Sequence, residues 1–303
     1  MSETIKKTFS VTSPAKLKVN NISGSVEITP GEDGVIQVTA IKHPNSGDEK
    51  RTEIEIIQEA DGTVKATTRY PDGGWTWMFG SHPCDVEYVI KAPRQCSLRV
   101  NGVSNTVLAE GFDGEINMNT VSGEISIKSI NGPMRIHSVS GDVDGEHLVG
   151  TLAADTVSGD VMVKASTLIS INGKTVSGDL HISTPLANGP YEFKSVSGDV
   201  QMIVPPETAC TGELHTLSGD LTTAFPANGY SNNPGSKSVL IKGGGVKIIL
   251  NSVSGDLSLD CDGEIPSSPD PAKTITSEER KAVLESVERG ELTVEQALGK
   301  LHG

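Results

Sequence analysis

The chain has 303 residues with 35% hydrophobic and 4% aromatic side chains, 33 glycines and a formal net charge of −14. That charge repels nucleic acid and anionic membrane surfaces at long range and excludes them as main partners. So thin an apolar content fits an elongated β protein better than a thick globular core.

The first 95 residues carry strand patterns without a strict repeat: Phe9-Ser-Val11, Leu17-Lys-Val19, Val26-Glu-Ile28, Val35-Ile-Gln-Val38, Ile54-Glu-Ile56 and Val86-Glu-Tyr88-Val-Ile90. The segment Asn21-Ile-Ser-Gly-Ser-Val26-Glu-Ile28 has the form of a degenerate rung, with the hairpin-like stretch 50–70 as an insertion or end cap. The opening Met1-Ser-Glu-Thr-Ile-Lys-Lys-Thr lacks the apolar core of a signal peptide. No stretch reaches the roughly 20 apolar residues of a spanning helix. The expected location is the cytoplasm, at most peripheral to a membrane. Cys84, Cys96, Cys210 and Cys261 have neither metal-type spacing nor the density of a disulfide framework and read as reduced.

From 96 to 262 a turn motif of the form Val/Leu-Ser-Gly-Asp/Glu recurs. It starts at Val121, Val139, Val157, Val176, Val196, Leu217 and Val253, at intervals of 18, 18, 19, 20, 21 and 36 residues. The last interval is twice the first, which implies one rung near Leu240 without its signature. A finer period of nine lies inside, because Val103, Phe112, Val121, Ile130, Val139, Leu148 and Val157 open similar units. Pairs such as Ile125/Ile127, Val161/Val163, Leu180/Ile182 and Val200/Met202 alternate with other residues, the mark of a strand buried on one face. The motif supplies turn chemistry, with glycine free to take positive φ and Ser or Asp bonding nearby backbone donors. Nine residues bury too little to stand alone, so coils must stack. The predicted fold is all-β, a parallel β-solenoid with about 18–21 residues per coil, and seven or eight rungs at ~4.8 Å give a rod on the order of 35 Å. An antiparallel β-sandwich is the alternative.

Residues 263–275, with Pro266, Pro269 and Pro271, read as a stiff linker. Beyond it Thr276-Ser-Glu-Glu279 and Thr293-Val-Glu-Gln296 are capping boxes opening two short helices over 276–303. Val283, Leu284, Val287, Leu298 and Leu301 form their apolar side. Helices this short are marginal alone, so the hairpin must cap its own solenoid, associate with a second copy, or hold a protein partner.

The Val-Ser-Gly-Asp rungs, together with Phe9-Ser-Val-Thr and Leu17-Lys-Val-Asn-Asn-Ile-Ser-Gly-Ser-Val26-Glu-Ile28, make residues 8–260 resemble the bacterial "putative adhesin" family of β-strand repeats, which includes YvlB-like and LiaX-like envelope-stress proteins. The tail from Ser277 to Leu298 is similar to the SHOCT-like helical domain that accompanies some of them. The resemblance implies a β-helix and an association with the cell envelope.

Candidate sites are few. Glu124, Asp142, Asp160, Asp179, Asp199, Asp220 and Asp256 stack into an acidic column that either caps turns or binds calcium, and the single glycine per unit favours capping. Thr120, Ser138, Thr156, Thr175, Ser195, Thr216 and Ser252 form a hydroxyl column, read as a solvated strand face or as a template for water or polysaccharide. Trp75-Thr-Trp77-Met-Phe79 puts three rings in alternation, suited to a sugar, a lipid headgroup or a partner chain, or to plugging one end of the core. The seven histidines are scattered, and His82-Pro-Cys84 is a weak fragment of a metal or nucleophile site. No catalytic motif, cofactor fingerprint or metal spacing occurs. The expected function is a non-catalytic, adhesin-like interaction scaffold. Its expected partners are a protein or a second copy held through the helical tail, and a glycan or envelope component. The alternative is a carbohydrate-binding or carbohydrate-acting β-helix.

Overall fold

A computed structural model describes residues 3–71 and 82–261. Val283, Leu284, Val287, Leu298 and Leu301 of the expected hairpin, the linker before it, and Trp75, Trp77 and Phe79 lie outside the described residues.

The described residues form a parallel β-solenoid whose coils each contribute one strand to sheet A and one to sheet B. Two long strands, β2 (Ala15–Pro30) and β7 (Cys96–Glu110), run round the corner between the sheets and contribute to both. The chain then alternates between sheets through β8 (Ile116–Thr120), β9 (Ile125–Lys128), β10 (Asn131–Ser138), β11 (Val143–Glu146), β12 (Val149–Thr156), β13 (Val161–Lys164), β14 (Thr167–Lys174), β15 (Leu180–Ser183), β16 (Tyr191–Lys194) and β17 (Val200–Val204). Even numbers from β8 to β16 stack in sheet A and odd numbers from β9 to β17 in sheet B, all parallel and in register except for a one-residue shift between β12 and β14 at Gly150/Thr151. The antiparallel sandwich is thereby excluded.

Period-2 alternation explains the core. Ile116, Met118, Ile125 and Ile127 point inward from one coil and are at most 1% exposed, and their counterparts in the other coils continue the same columns. Full burial of each such side chain stabilises the stack by ~1.5–3 kcal/mol. Tyr88, Tyr191 and Phe193 fill wider sections. The Tyr191 hydroxyl donates to the Leu168 carbonyl at 2.8 Å and accepts the Ala187 N–H at 2.7 Å, so its polar end is satisfied.

The coils do not follow chain order at either end. β5 (Val64–Arg69) and β6 (Val86–Ala92) form a coil that lies outside β2, so the first coil of the chain is sandwiched between that coil and β7. At the other end β18 (Cys210–His215) and β19 (Leu221–Thr223) form the outermost coil. The last coil of the chain, β22 (Val246–Asn251) with β23 (Leu257–Cys261), is inserted between it and β16–β17. Counting β5–β6, β2, β7, the five coils from β8–β9 to β16–β17, β22–β23 and β18–β19 gives ten parallel rungs. At ~4.8 Å each they span about 43 Å, more than the seven or eight expected.

The 36-residue interval therefore hides no lost rung. It contains an antiparallel excursion, β20 (Ala227–Asn233) and β21 (Ser236–Ile241), that covers the outer edge of β18. The Gly243-Gly244-Gly245 turn then carries the chain past β18 to its other side, with Gly243 at φ 87° and Gly244 at φ 85°. At the opposite end β4 (Glu53–Gln58) covers β5, and β3 (Val35–Lys42) with β1 (Glu3–Ser10) covers β6, all antiparallel. Of the exposed edges, β1 is charged and β19 is only three residues long, which blunts further strand addition at those two strands.

Candidate functional site

The repeated motif builds one corner of each of seven coils, and each of its residues has a separate task. The hydroxyl before it is buried: Ser138, Thr156, Thr175, Ser195 and Thr216 are at most 8% exposed. Each accepts the N–H of the motif glycine three residues on, as does Ser252, at 2.6–3.0 Å. From Ser138 onward this column is an internal turn clamp rather than the solvated face expected, whereas the buried Thr120 hydroxyl makes no such bond.

The acidic column is also a capping device. The N–H of Asp160, Asp179, Asp199, Asp256 and Asp220 donates to the carboxylate of the neighbouring rung's Asp142, Asp160, Asp179, Asp199 and Asp256 respectively, at 2.7–3.0 Å. Each charge-assisted bond satisfies a donor that the corner would otherwise leave open. Asp220 also pairs with Lys237. No group of three or more His, Cys, Asp or Glu among the described residues is arranged to hold a metal ion.

Glycine is required here for space and not for handedness. Gly141, Gly159, Gly178, Gly198, Gly219 and Gly255 all avoid positive φ, contrary to the expectation, and only Gly123 adopts it. A Cβ on Gly178 would lie 2.1 Å from the Gly159 carbonyl oxygen and one on Gly198 2.0 Å from that of Gly178. The corners are stacked backbone on backbone.

Asn105 occupies the glycine position of an earlier corner, and both its amide atoms are buried without a hydrogen-bond partner. Replacing Asn105 with Gly removes two buried unsatisfied groups. The expected gain is about 1–2 kcal/mol, read as a rise in the midpoint of urea unfolding; a fall would show that the amide is satisfied in solution.

The first residue of the motif points outward. Val103, Val121, Val139, Val157, Val176, Val196, Val253 and Leu217 stack rung on rung, each 37–84% exposed, and account for eight of the thirteen exposed large hydrophobic side chains among the described residues. The carbonyls of the seven valines accept the N–H of the next rung's motif serine, which fixes the spacing. The nine-residue period conceals this, because Phe112, Ile130 and Leu148 at the opposite corner are fully buried. The opposite corner turns through left-handed Ser129, His147 and Ala165, with φ of 48–54°. The two corners therefore differ in backbone, and one turns its apolar residue in where the other turns it out.

Other candidates do not assemble a reaction centre. Cys84 is buried with its N–H on the Thr52 hydroxyl, and the His82 Nδ1 lies 3.3 Å from the Pro83 carbonyl. Burial pushes the Cys96 thiol up to about 12 and that of Cys210 up to about 11, leaving both protonated and unreactive. Tyr88 is likewise raised to about 12 by burial, against a lowering hydrogen bond with Thr68.

This ten-rung parallel stack has recognisable relatives. A model of the Toastrack DUF4097 family matches residues 15–260. The chain belongs to that family. No curated protein matches it. Among solved structures, a "putative adhesin" of Bacteroides fragilis is 10% identical, with 85% of this chain and 97% of that one covered at a TM-score of 0.42. A "putative lipid binding protein" of Parabacteroides distasonis is 11% identical, with 86% and 97% covered at 0.41. A "putative adhesin" of the same species is 13% identical, with 86% and 97% covered at 0.36. The family match spans both the regular corners and the irregular first coil. Among the described residues of this Toastrack chain no helix is long and apolar enough to cross a membrane.

Proposed function

We propose that this chain is a non-catalytic interaction scaffold, an adhesin-like rod that presents a repeated surface to a partner at the cell envelope. The observation that carries the reading is the column of eight exposed branched side chains along one corner. The turn does not need these residues to be apolar, since its hydrogen bonds come from the flanking hydroxyl, Ser, Gly and Asp. A contiguous exposed apolar stripe marks an interaction surface, and its ~4.8 Å repeat is matched rung for rung only by another β-stack. The partner that fits best is a second copy, with the helical tail supplying a further contact.

Light scattering on the full chain, on a chain ending at Asp262, and on Val139→Lys/Val157→Lys/Val176→Lys tests this. The expected result is an oligomer that the triple substitution dissociates and that truncation weakens. A full chain that stays monomeric at high concentration would sink the self-association reading.

A further inference from the structure

The outer face of sheet A carries a furrow that neither the motif nor the valine column uses. Two clefts of about 390 and 250 Å³ lie end to end on it. The first is lined by Lys16, Lys18, Ser97, Arg99, Glu115 and Asn117, on β2, on β7 and on or just before β8, and is flanked by the β4–β5 turn. The second is lined by Pro133, Arg135, Thr151, Ala153, Ser170 and Asn172 on β10, β12 and β14, and ends at Pro190. The pairing Lys18↔Arg99↔Asn117↔Arg135↔Ala153↔Asn172 makes one continuous wall of both clefts. The furrow thus runs along the rod from β2 to the start of β16, seven strands or about 29 Å at the strand spacing.

Its lining is unusual for this protein. In a chain of net charge −14, Lys65, Lys18 and Arg99 occupy directly facing positions on three adjacent strands. Like charges so placed are destabilising. Lys65 is relieved by Glu59 at 3.5 Å and Lys16 by Asp61 at 3.8 Å, whereas Lys18 and Arg99 make no ion pair among the described residues. Past these cations the walls are small and hydrogen-bonding: Ser97, Asn117, Thr151, Ser170 and Asn172. Between the two clefts the Glu115–Arg135 pair crosses the furrow at 2.6 Å, with 46% and 64% of the side chains exposed. An exposed pair of this kind contributes ~0–1 kcal/mol and opens at little cost.

We infer that this furrow binds a linear acidic polysaccharide, whose carboxylates meet Lys18 and Arg99 while its hydroxyls bond the Ser, Thr and Asn side chains along the second cleft. An open channel about 29 Å long fits an extended polymer rather than a small molecule enclosed on most sides. Duplex nucleic acid shares the anionic character, but with one charge per ~1.7 Å of axis it is opposed by the negative field of the whole molecule far more strongly than a single polysaccharide strand with at most one carboxylate per sugar.

The test measures binding of polygalacturonate, alginate and hyaluronate to the full chain by calorimetry, with dextran as neutral comparator and inorganic polyphosphate as a polyanion without sugar. At least one acidic polysaccharide should bind in a salt-sensitive manner and dextran should not. Lys18→Ala/Arg99→Ala, which relieves repulsion and so preserves the fold, should lower that affinity about tenfold or more. Ala153→Trp, a bulky strand-compatible residue in the second cleft, should lower it by a similar factor. Four results overturn the proposal: no binding of any of the three polysaccharides, dextran binding as tightly as they do, either variant binding like the wild type, or polyphosphate competing equally in the wild type and in Ala153→Trp.

Discussion

Gly178→Ala is expected to destabilise the protein by about 3 kcal/mol, because the new methyl group would sit 2.1 Å from the Gly159 carbonyl oxygen, a backbone atom that cannot rotate away. In a two-state transition of a domain this large that amounts to a fall of roughly 6–12 °C in Tm. Relief by local movement is costly, since the same corner repeats above and below: Gly198 stacks on Gly178 and Gly255 on Gly198, at 2.0 and 2.2 Å for the equivalent methyl. Gly243→Ala is the informative control. It has a left-handed φ of 87° but nothing within 4 Å of its Cβ, so it should cost only about 1 kcal/mol of backbone strain. Equal losses in the two variants would mean that the corner yields to the new methyl group and that space does not dictate glycine in the motif.

The contrast marks what sequence reading can reach. Alternation such as Ile125/Ile127 and the 18–21-residue spacing report local conformation and the repeat, and they lead to parallel coils directly. The turn-capping role of the acidic column also had a local answer, visible in the Asp160–Asp142 type of bond. Which way a corner residue points is not local in this sense. Val121 and Ile130 open units of the same pattern, yet one is 47% exposed and the other buried. The difference arises from left-handed backbone at Ser129, His147 and Ala165, three residue types with no shared signature. The furrow on sheet A was invisible for a related reason. Lys18, Arg99 and Asn117 become neighbours only through pairing across strands up to 81 residues apart, and no local pattern encodes that register.

Order of the coils is the least legible feature and has the largest expected consequence. In a solenoid whose coils follow chain order, removing the last one trims an end and leaves the remainder intact. Here the last coil is internal, and a chain ending at Gly244 loses the strands that join β16 to β18 and β17 to β19. It also loses Ile248, Leu250, Leu257 and Leu259, all fully buried. These four side chains correspond to about 6–12 kcal/mol of burial, which is comparable to the whole stability of a typical domain. Hydrogen exchange on this truncation should therefore show loss of protection across 210–241, a segment upstream of the cut that remains covalently complete. Rungs from β8 to β15 should keep theirs, because their stacking partners are untouched. A chain ending at Asp262 should retain protection throughout 210–241. If 210–241 stays protected in the shorter chain, β18 has closed directly onto β16, and the inserted coil is a replaceable spacer rather than the element that locks this end of the rod.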